Sequence, residues 1–405
     1  MRELLWTLLT VAVAGMASGL VQWLGVGLVL QPLRRATPGQ WTERARLAWP
    51  PIRVLAWGQV IQPAVWAGLV GAEAEGIVGA VSSWLEAVVA LGAFAGASLV
   101  SHRIETQVRQ LQLSYSDWLR GWVVQVVLFL MPWGMLVLVL WQGPSSVDWV
   151  GSMLLLACIG AVWVWGIGGV VVLGKWLGLL HPAPARLQTI LQTAAQRLGL
   201  PPPRGYLLRW WMANALAFPL NRAVAVTDRA LASFPDDELL GICLHEVAHL
   251  TEPRHIHLMR LATQFVWVPL ALVAPLSEAA YWSGAVGVLA LFVAGLHLSR
   301  VLYWKMELRA DTLARAHESQ PGSYMRALER LHELDLIPVV IRGRTLTHPN
   351  LYDRLRAAGV SPDYPRPTAP AVWPGRVSVL AIFFGAVVLG IAWLAVARVA
   401  FGLRP

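Results

Sequence analysis

Lysine is almost missing. Lys175 and Lys305 are the only two in 405 residues, so arginine carries nearly all of the excess of nine basic over acidic residues. Cysteine is as rare, and Cys158 and Cys243 both fall in apolar runs that read as helices, which argues against a disulfide framework or a cysteine-rich metal site. Charge of either sign is scarce too, at 14% of residues against 57% hydrophobic, and this excludes an ordinary soluble globular domain. A chain so poor in charge belongs in a lipid bilayer. Its arginines then mark loops on one membrane face rather than a nucleic-acid surface, and nothing in the composition speaks to oligomeric state.

Apolar runs of spanning length fall at about residues 4–30, 54–71, 77–100, 119–141 and 149–173. They define an amino-terminal membrane domain of five spans, residues 1–180. The first run outlasts a signal-peptide core of roughly 7 to 15 residues and reads as a retained span. Prolines, glutamines and charges then rise through residues 181–257, the first part of a water-facing domain. Two runs at 258–276 and 281–300 form a two-span hairpin across 258–300, residues 301–375 complete the water-facing domain, and a last apolar helix occupies 376–405. The expected fold is a predominantly α-helical multi-pass membrane protein of about seven to eight spans, whose water-facing domain contains a small β-sheet.

Loop charges give an orientation. Arg34, Arg35, Arg44, Arg46 and Arg53 follow the first run and Arg103, Arg109 and Arg120 the third, while "GAEAEG", "QGPSSVD" and "SEAAYWSG" hold no basic residue. The positive-inside rule places the water-facing domain on the cytoplasmic side of the cell (inner) membrane. Glu86, read as lying near the middle of the third run, is a candidate intramembrane functional carboxylate.

Within residues 181–257, Leu187, Ile190, Leu191, Ala194 and Leu198 keep helical spacing up to Gly199, and "YLLRWW", "NALAF" and "AVAVT" read as short strands. Ser233, Pro235 and Asp236 supply a helix start, and Pro253 a stop, around "LLGICLHEVAHLTEP". His245 and His249 are one helical turn apart, so both imidazoles can reach one ion, with Glu246 beside them. Zinc suits neutral imidazoles in a tetrahedral shell with an open position for water, and Glu246 can take the proton of that water as it attacks a carbonyl. The competing reading is a pair of satisfied core histidines. A hydrolytic site needs a third protein ligand, and "YWKMELRADTLARAHE" offers Glu307, with Asp311 one turn on as an acceptor that orients a ligand imidazole. Standing alone, Glu307 would read equally well as a solvated helix charge.

"HEVAH", an apolar hairpin and "ELRAD" in this order resemble the integral-membrane gluzincin zinc metallopeptidases, the family of the type I CAAX prenyl protease and the HtpX-like proteases. "NALAFPLNRAVAVTDRALASFPDDELLGICLHEVAH" and "THPNLYDRLRAAG" resemble flanking motifs of the same family, and the likeness covers roughly residues 185–360. It implies a zincin-type catalytic domain with one zinc ion, and it implies that Asn214 lies on an edge strand that pairs with substrate. It also implies that His348 and Arg354 bind substrate or stabilise the oxyanion. Leu216 departs from the aromatic usual at its place, which is expected to alter packing rather than chemistry. The expectation is therefore a membrane zinc metalloendopeptidase, with His245, His249 and Glu307 on the metal, Glu246 as base, and membrane proteins or membrane-associated peptides as substrates. A signal-transducing sensor with a zinc-peptidase output module, and a scaffold of the same fold that has lost catalysis, are the alternatives.

Overall fold

A computed structural model describes residues 2–36, 39–77, 83–142, 149–342 and 349–401. Three long helices come first: α1 (Arg2–Arg35), α2 (Trp41–Ile77) and α3 (Ser83–Arg109). Next, α4 (Tyr115–Gln125) runs through a π turn at Val126–Leu130 into α5 (Met131–Gln142), and α6 (Trp149–Val164) through another at Trp165–Gly169 into α7 (Val170–Trp176). The water-facing segment holds β1 (Leu180–Pro182), α8 (Ala185–Arg197), β2 (Arg204–Leu208), β3 (Ala215–Phe218), β4 (Ala223–Thr227), α9 (Asp228–Ser233) and α10 (Asp236–Ala248). After α11 (Arg254–Ala262) and α12 (Val268–Ala271), α13 (Val273–Ala316) runs for 44 residues, and α14 (Ser323–Leu334), α15 (Leu351–Ala357) and α16 (Trp373–Phe401) follow.

Among the described residues, seven helices are long and apolar enough to cross a membrane: Leu4–Arg35, Trp41–Ala72, Trp84–Arg109, Tyr115–Leu136, Trp149–Trp176, Ala280–Ala316 and Trp373–Phe401. The run at 258–276 differs from its expected span. It folds as α11, a 3-10 turn at Thr263–Phe265 and the four-residue α12, because Pro269, which lacks an amide donor, opens α12 and a new helix must start there. Hydropathy reports how apolar a run is and not whether its helix is continuous. Glu86 also differs: it stands in the first turn of α3, not in the middle of a span.

The chain divides into two compact units, one made of Met1–Tyr115, Leu336–Arg342 and Tyr364–Pro405, the other of Ser116–Asp335 and Gly343–Asp363. In the first unit α1, α2, α3 and α16 form a bundle. Small residues bring α1 and α3 into backbone contact, since a Cβ on Gly96 would lie 1.8 Å from the Gly15 carbonyl oxygen. One buried amide inside the bundle is fully engaged: Gln22 donates to the Leu55 carbonyl and to Ser101 Oγ, each at 3.0 Å, and accepts from Gln62 at 2.9 Å. Such bonds satisfy groups that hydrocarbon could not.

In the second unit the sheet order is β1-β2-β4-β3, with β2 and β4 parallel and both outer pairs antiparallel. All five residues of β4 are buried, and β3 is an edge strand. The helix predicted from Leu187 to Leu198 is α8. The strand expected in "YLLRWW" ends at Leu208. α10 begins at Asp236 with Pro235 as its N-cap, while Ser233 closes α9 and does not cap it. Asp236, Asp237 and Glu238 in the first turn of α10 complement its dipole. α10 packs against α8, α13, α14 and β3, and both of the histidines at its end are buried.

Candidate active site

His245 lies near the end of α10, and His249 opens the single 3-10 turn that continues it, so the two rings keep the one-turn offset of the sequence and their centroids lie 5.0 Å apart. Glu307, near the carboxyl end of α13, reaches both. Its carboxylate oxygens are 3.1 Å from His245 Nε2 and 3.6 Å from His249 Nε2, and one ligand atom from each of the three residues falls within 4.8 Å of the others. All three side chains are buried, and Glu246 between them is half-buried. Among the described residues Glu246 has no ion-pair or hydrogen-bond partner.

What lies behind the rings suits them to hold a metal. His245 Nδ1 is 2.7 Å from the Tyr324 hydroxyl and 3.2 Å from Asp311 Oδ1, and His249 Nδ1 is 3.1 Å from Glu252 Oε1. Each imidazole thus directs Nδ1 to an oxygen held for it and turns Nε2 toward the common point, the arrangement that fixes tautomer and ring orientation for a metal. The Tyr324 hydroxyl donates to Asp311 at 2.7 Å, leaving its lone pairs to accept from His245 Nδ1 and from Arg354 at 3.0 Å. Burial pushes the Tyr324 phenol well up, so it remains a neutral donor. Burial also works against a charge on His245, yet hydrogen bonds to Asp311 and Glu307 and the charges of Glu307 and Glu246 outweigh it, and the group is pushed up to about 10. The surroundings therefore favour positive charge at this point, which suits a divalent cation. The Cys243 thiol is pushed up by burial and then by Glu246, and stays neutral.

The structure thus brings His245, Glu246, His249, Glu307, Asp311 and Arg354 together, and it gives Arg354 a partner within the site. Arg354 donates to Asp311 from Nε at 2.9 Å and from Nη2 at 2.6 Å, and its side chain is 8% exposed. A guanidinium bonded in this way holds Asp311 and Tyr324 in place behind His245. His348 lies outside the described residues. Asn214 directly precedes the edge strand β3, where its amide donates to Thr227 Oγ1 and its carbonyl accepts from the Thr227 amide, each at 2.9 Å. Alternation then turns the main-chain groups of Ala215 and Ala217 to the free edge, and Asn214 Oδ1 accepts from the Ala215 amide at 2.9 Å.

A cavity of about 640 Å³ starts at Glu307 and is walled by Leu216 and Phe218 of β3, Trp133, Trp165 and Met306. Leu216 packs against the core beneath the sheet and also lines this cavity. Residues 183–359 match the model of Peptidase family M48. This segment is an M48 peptidase domain. Among curated relatives of the chain, "Protease HtpX homolog" of Acaryochloris marina (strain MBIC 11017) is 30% identical over 171 residues, 38% of this chain and 58% of that protein. The protein of the same name from Persephonella marina (strain DSM 14350 / EX-H1) is 29% identical over 178 residues, 38% of this chain and 60% of its own. "Protease HtpX" of Pseudomonas entomophila (strain L48) is 24% identical over 262 residues, 53% of this chain and 87% of that protein. The chain spans about three fifths of the length of the first two. With its seven apolar helices it is an integral membrane protein that carries an M48 domain.

Two residues of the M48 domain were not legible as site residues in the sequence, Tyr324 and Glu252. The one hint of Tyr324 is Gly241, a turn before His245: a Cβ there would lie 2.9 Å from Tyr324 Cα, so glycine lets α14 approach α10 closely enough for the hydroxyl to reach the ring. Tyr324→Phe is expected to lower zinc affinity about tenfold, the low end for losing such a partner, because Asp311 remains 3.2 Å from Nδ1. Competition against a chromophoric chelator measures this, and an unchanged affinity would show that the hydroxyl does not orient the ring.

Proposed function

We propose that the protein is a zinc metalloendopeptidase that cleaves membrane proteins or membrane-associated peptides at the cytoplasmic face. The observation that carries this reading is the convergence of His245 Nε2, His249 Nε2 and a Glu307 oxygen on one point, each imidazole backed by an oxygen at Nδ1. These three residues would hold one zinc ion per chain. Bound there, zinc supplies Lewis acidity to a carbonyl and makes a water more acidic.

Glu246 does the proton work. Half-buried and without a partner, it accepts the proton of the attacking water and delivers it to the departing amine, so one carboxylate serves both steps. Tyr324, Asp311 and Arg354 keep His245 oriented, and Glu252 does the same for His249. The open edge of β3 holds the peptide extended through the outward main-chain groups of Ala215 and Ala217. Asn214 Oδ1, which occupies the Ala215 amide, gives way as the peptide pairs.

Substrate class follows from the cavity wall. Trp133, Trp165 and Met306 belong to apolar helices of spanning length, so the space beside the metal ligands continues into a membrane-type surface and suits a bulky apolar side chain. The arginine-rich loops support the cytoplasmic orientation. Purified full-length protein in detergent is expected to contain about one zinc per chain, to cleave an apolar reporter peptide, to lose that activity to 1,10-phenanthroline and to regain it with added zinc. Cleavage that survives complete removal of the metal would overturn the reading.

A further inference from the structure

We infer that the first unit binds the headgroup of an anionic phospholipid, in a pocket where three of its helices end. The pocket, about 380 Å³, lies between the carboxyl end of α1, the start of α2 and the end of α3. Its floor includes Leu30 and Ile104, both buried, and its rim carries Arg34, Arg44, Gln107 and Gln110. Arg34 sits in the last turn of a helix long enough to span, at an end of its apolar run, where a lipid headgroup would meet it.

Among the described residues, no acidic side chain lines the pocket. The carboxylates close by are already taken: Glu43 pairs with Arg46 at 2.6 Å and Glu105 with Arg109 at 2.9 Å. Among the described residues Arg34 faces no carboxylate, and Arg44 spends one Nη on the Val108 carbonyl at 3.1 Å, which braces the guanidinium across to α3 with its other nitrogens uncommitted. Two guanidinium groups beside two amides match a phosphodiester and its polar substituent, which accept several hydrogen bonds at once. The apolar floor decides between a lipid and a free phosphate ion. It suits the glycerol and ester carbons that follow a lipid phosphate, and a bare oxyanion has no use for it. Gln110 is held at the rim in the left-handed region, φ 55°, by the helix-ending bond from the Leu111 amide to the Thr106 carbonyl at 2.9 Å.

The test is native mass spectrometry of the full-length protein released from mixed micelles of phosphatidylglycerol and phosphatidylcholine. The wild type is expected to retain phosphatidylglycerol in preference. The pair Arg34→Gln with Arg44→Gln is expected to cut that preference at least about tenfold, since each basic residue near a membrane surface adds about one further factor of five. Arg35→Gln with Arg103→Gln removes the same charge from exposed positions outside the pocket and should leave the preference intact. Should the first pair fail to give folded protein, Gln107→Trp fills the pocket without changing charge and must abolish the preference equally. Equal retention of both lipids overturns the proposal, as does an equal loss in the control pair. Displacement of the bound lipid by excess inorganic phosphate overturns it as well, because the site would then be one for the free ion.

Discussion

Glu246→Gln is expected to leave zinc at about one per chain while lowering turnover of a reporter peptide by a hundredfold to ten-thousandfold, the range over which a positioned general base contributes. The two halves of this expectation rest on separate observations. Zinc is retained because Glu246 stands outside the cluster of His245, His249 and Glu307, one residue around the helix from His245 and half-buried where they are buried. Turnover is lost because a carboxamide of the same shape cannot accept a proton, and no other described carboxylate near the cluster is uncommitted. Asp311 is tied to Arg354 and Tyr324, and Glu252 lies on the far side of His249. Metal analysis and cleavage rates on one preparation measure both halves. Turnover within threefold of wild type would mean that another group carries the proton.

Glu307→Ala is expected to do the reverse of what makes Glu246→Gln informative, removing metal and turnover together. Loss of a residue behind a ligand already costs ten- to a hundredfold in affinity, so loss of a ligand should cost more than about a hundredfold and leave the purified protein largely zinc-free. Zinc should raise the unfolding temperature of metal-stripped wild type and leave that of the Glu307→Ala protein unmoved, because only a folded state with the complete site gains from the ion. Full zinc content in this variant would remove Glu307 from the ligand set. The two substitutions together separate holding the metal from moving the proton, which activity alone cannot do.

The chemistry of the site was readable where it follows helical periodicity. His245 and His249, and again Glu307 and Asp311, are four residues apart, and a continuous helix turns that spacing directly into a shared face. The partners that complete the site escaped for the opposite reason. Tyr324 reaches His245 from another helix, 79 residues away in sequence, and a lone tyrosine on an amphipathic helix carries no local signal. Arg354 was legible as a site residue through its resemblance to a family motif, yet its role depends on which neighbour it meets, and that neighbour is Asp311. For the fold, the long apolar runs read well. The run at 258–276 did not, because Pro269 interrupts a helix that its composition would allow.

One feature of α13 ties the chemistry to the bilayer. From Trp282 to Ala316 the helix is unbroken, a rod of about 50 Å that carries a spanning apolar run at one end and Glu307 at the other. The kink at Ala280 and Tyr281 lies at the far end of that rod. Arg309, half a turn beyond Glu307, donates to the Ala248 carbonyl at 3.4 Å and to Thr251 Oγ1 at 2.6 Å, clasping the rod to the end of the histidine helix. A pivot at Arg309, about 3 Å along the axis from Glu307, leaves that carboxylate nearly still while the far end of the rod swings, so a change of tilt on the membrane side would scarcely disturb the site.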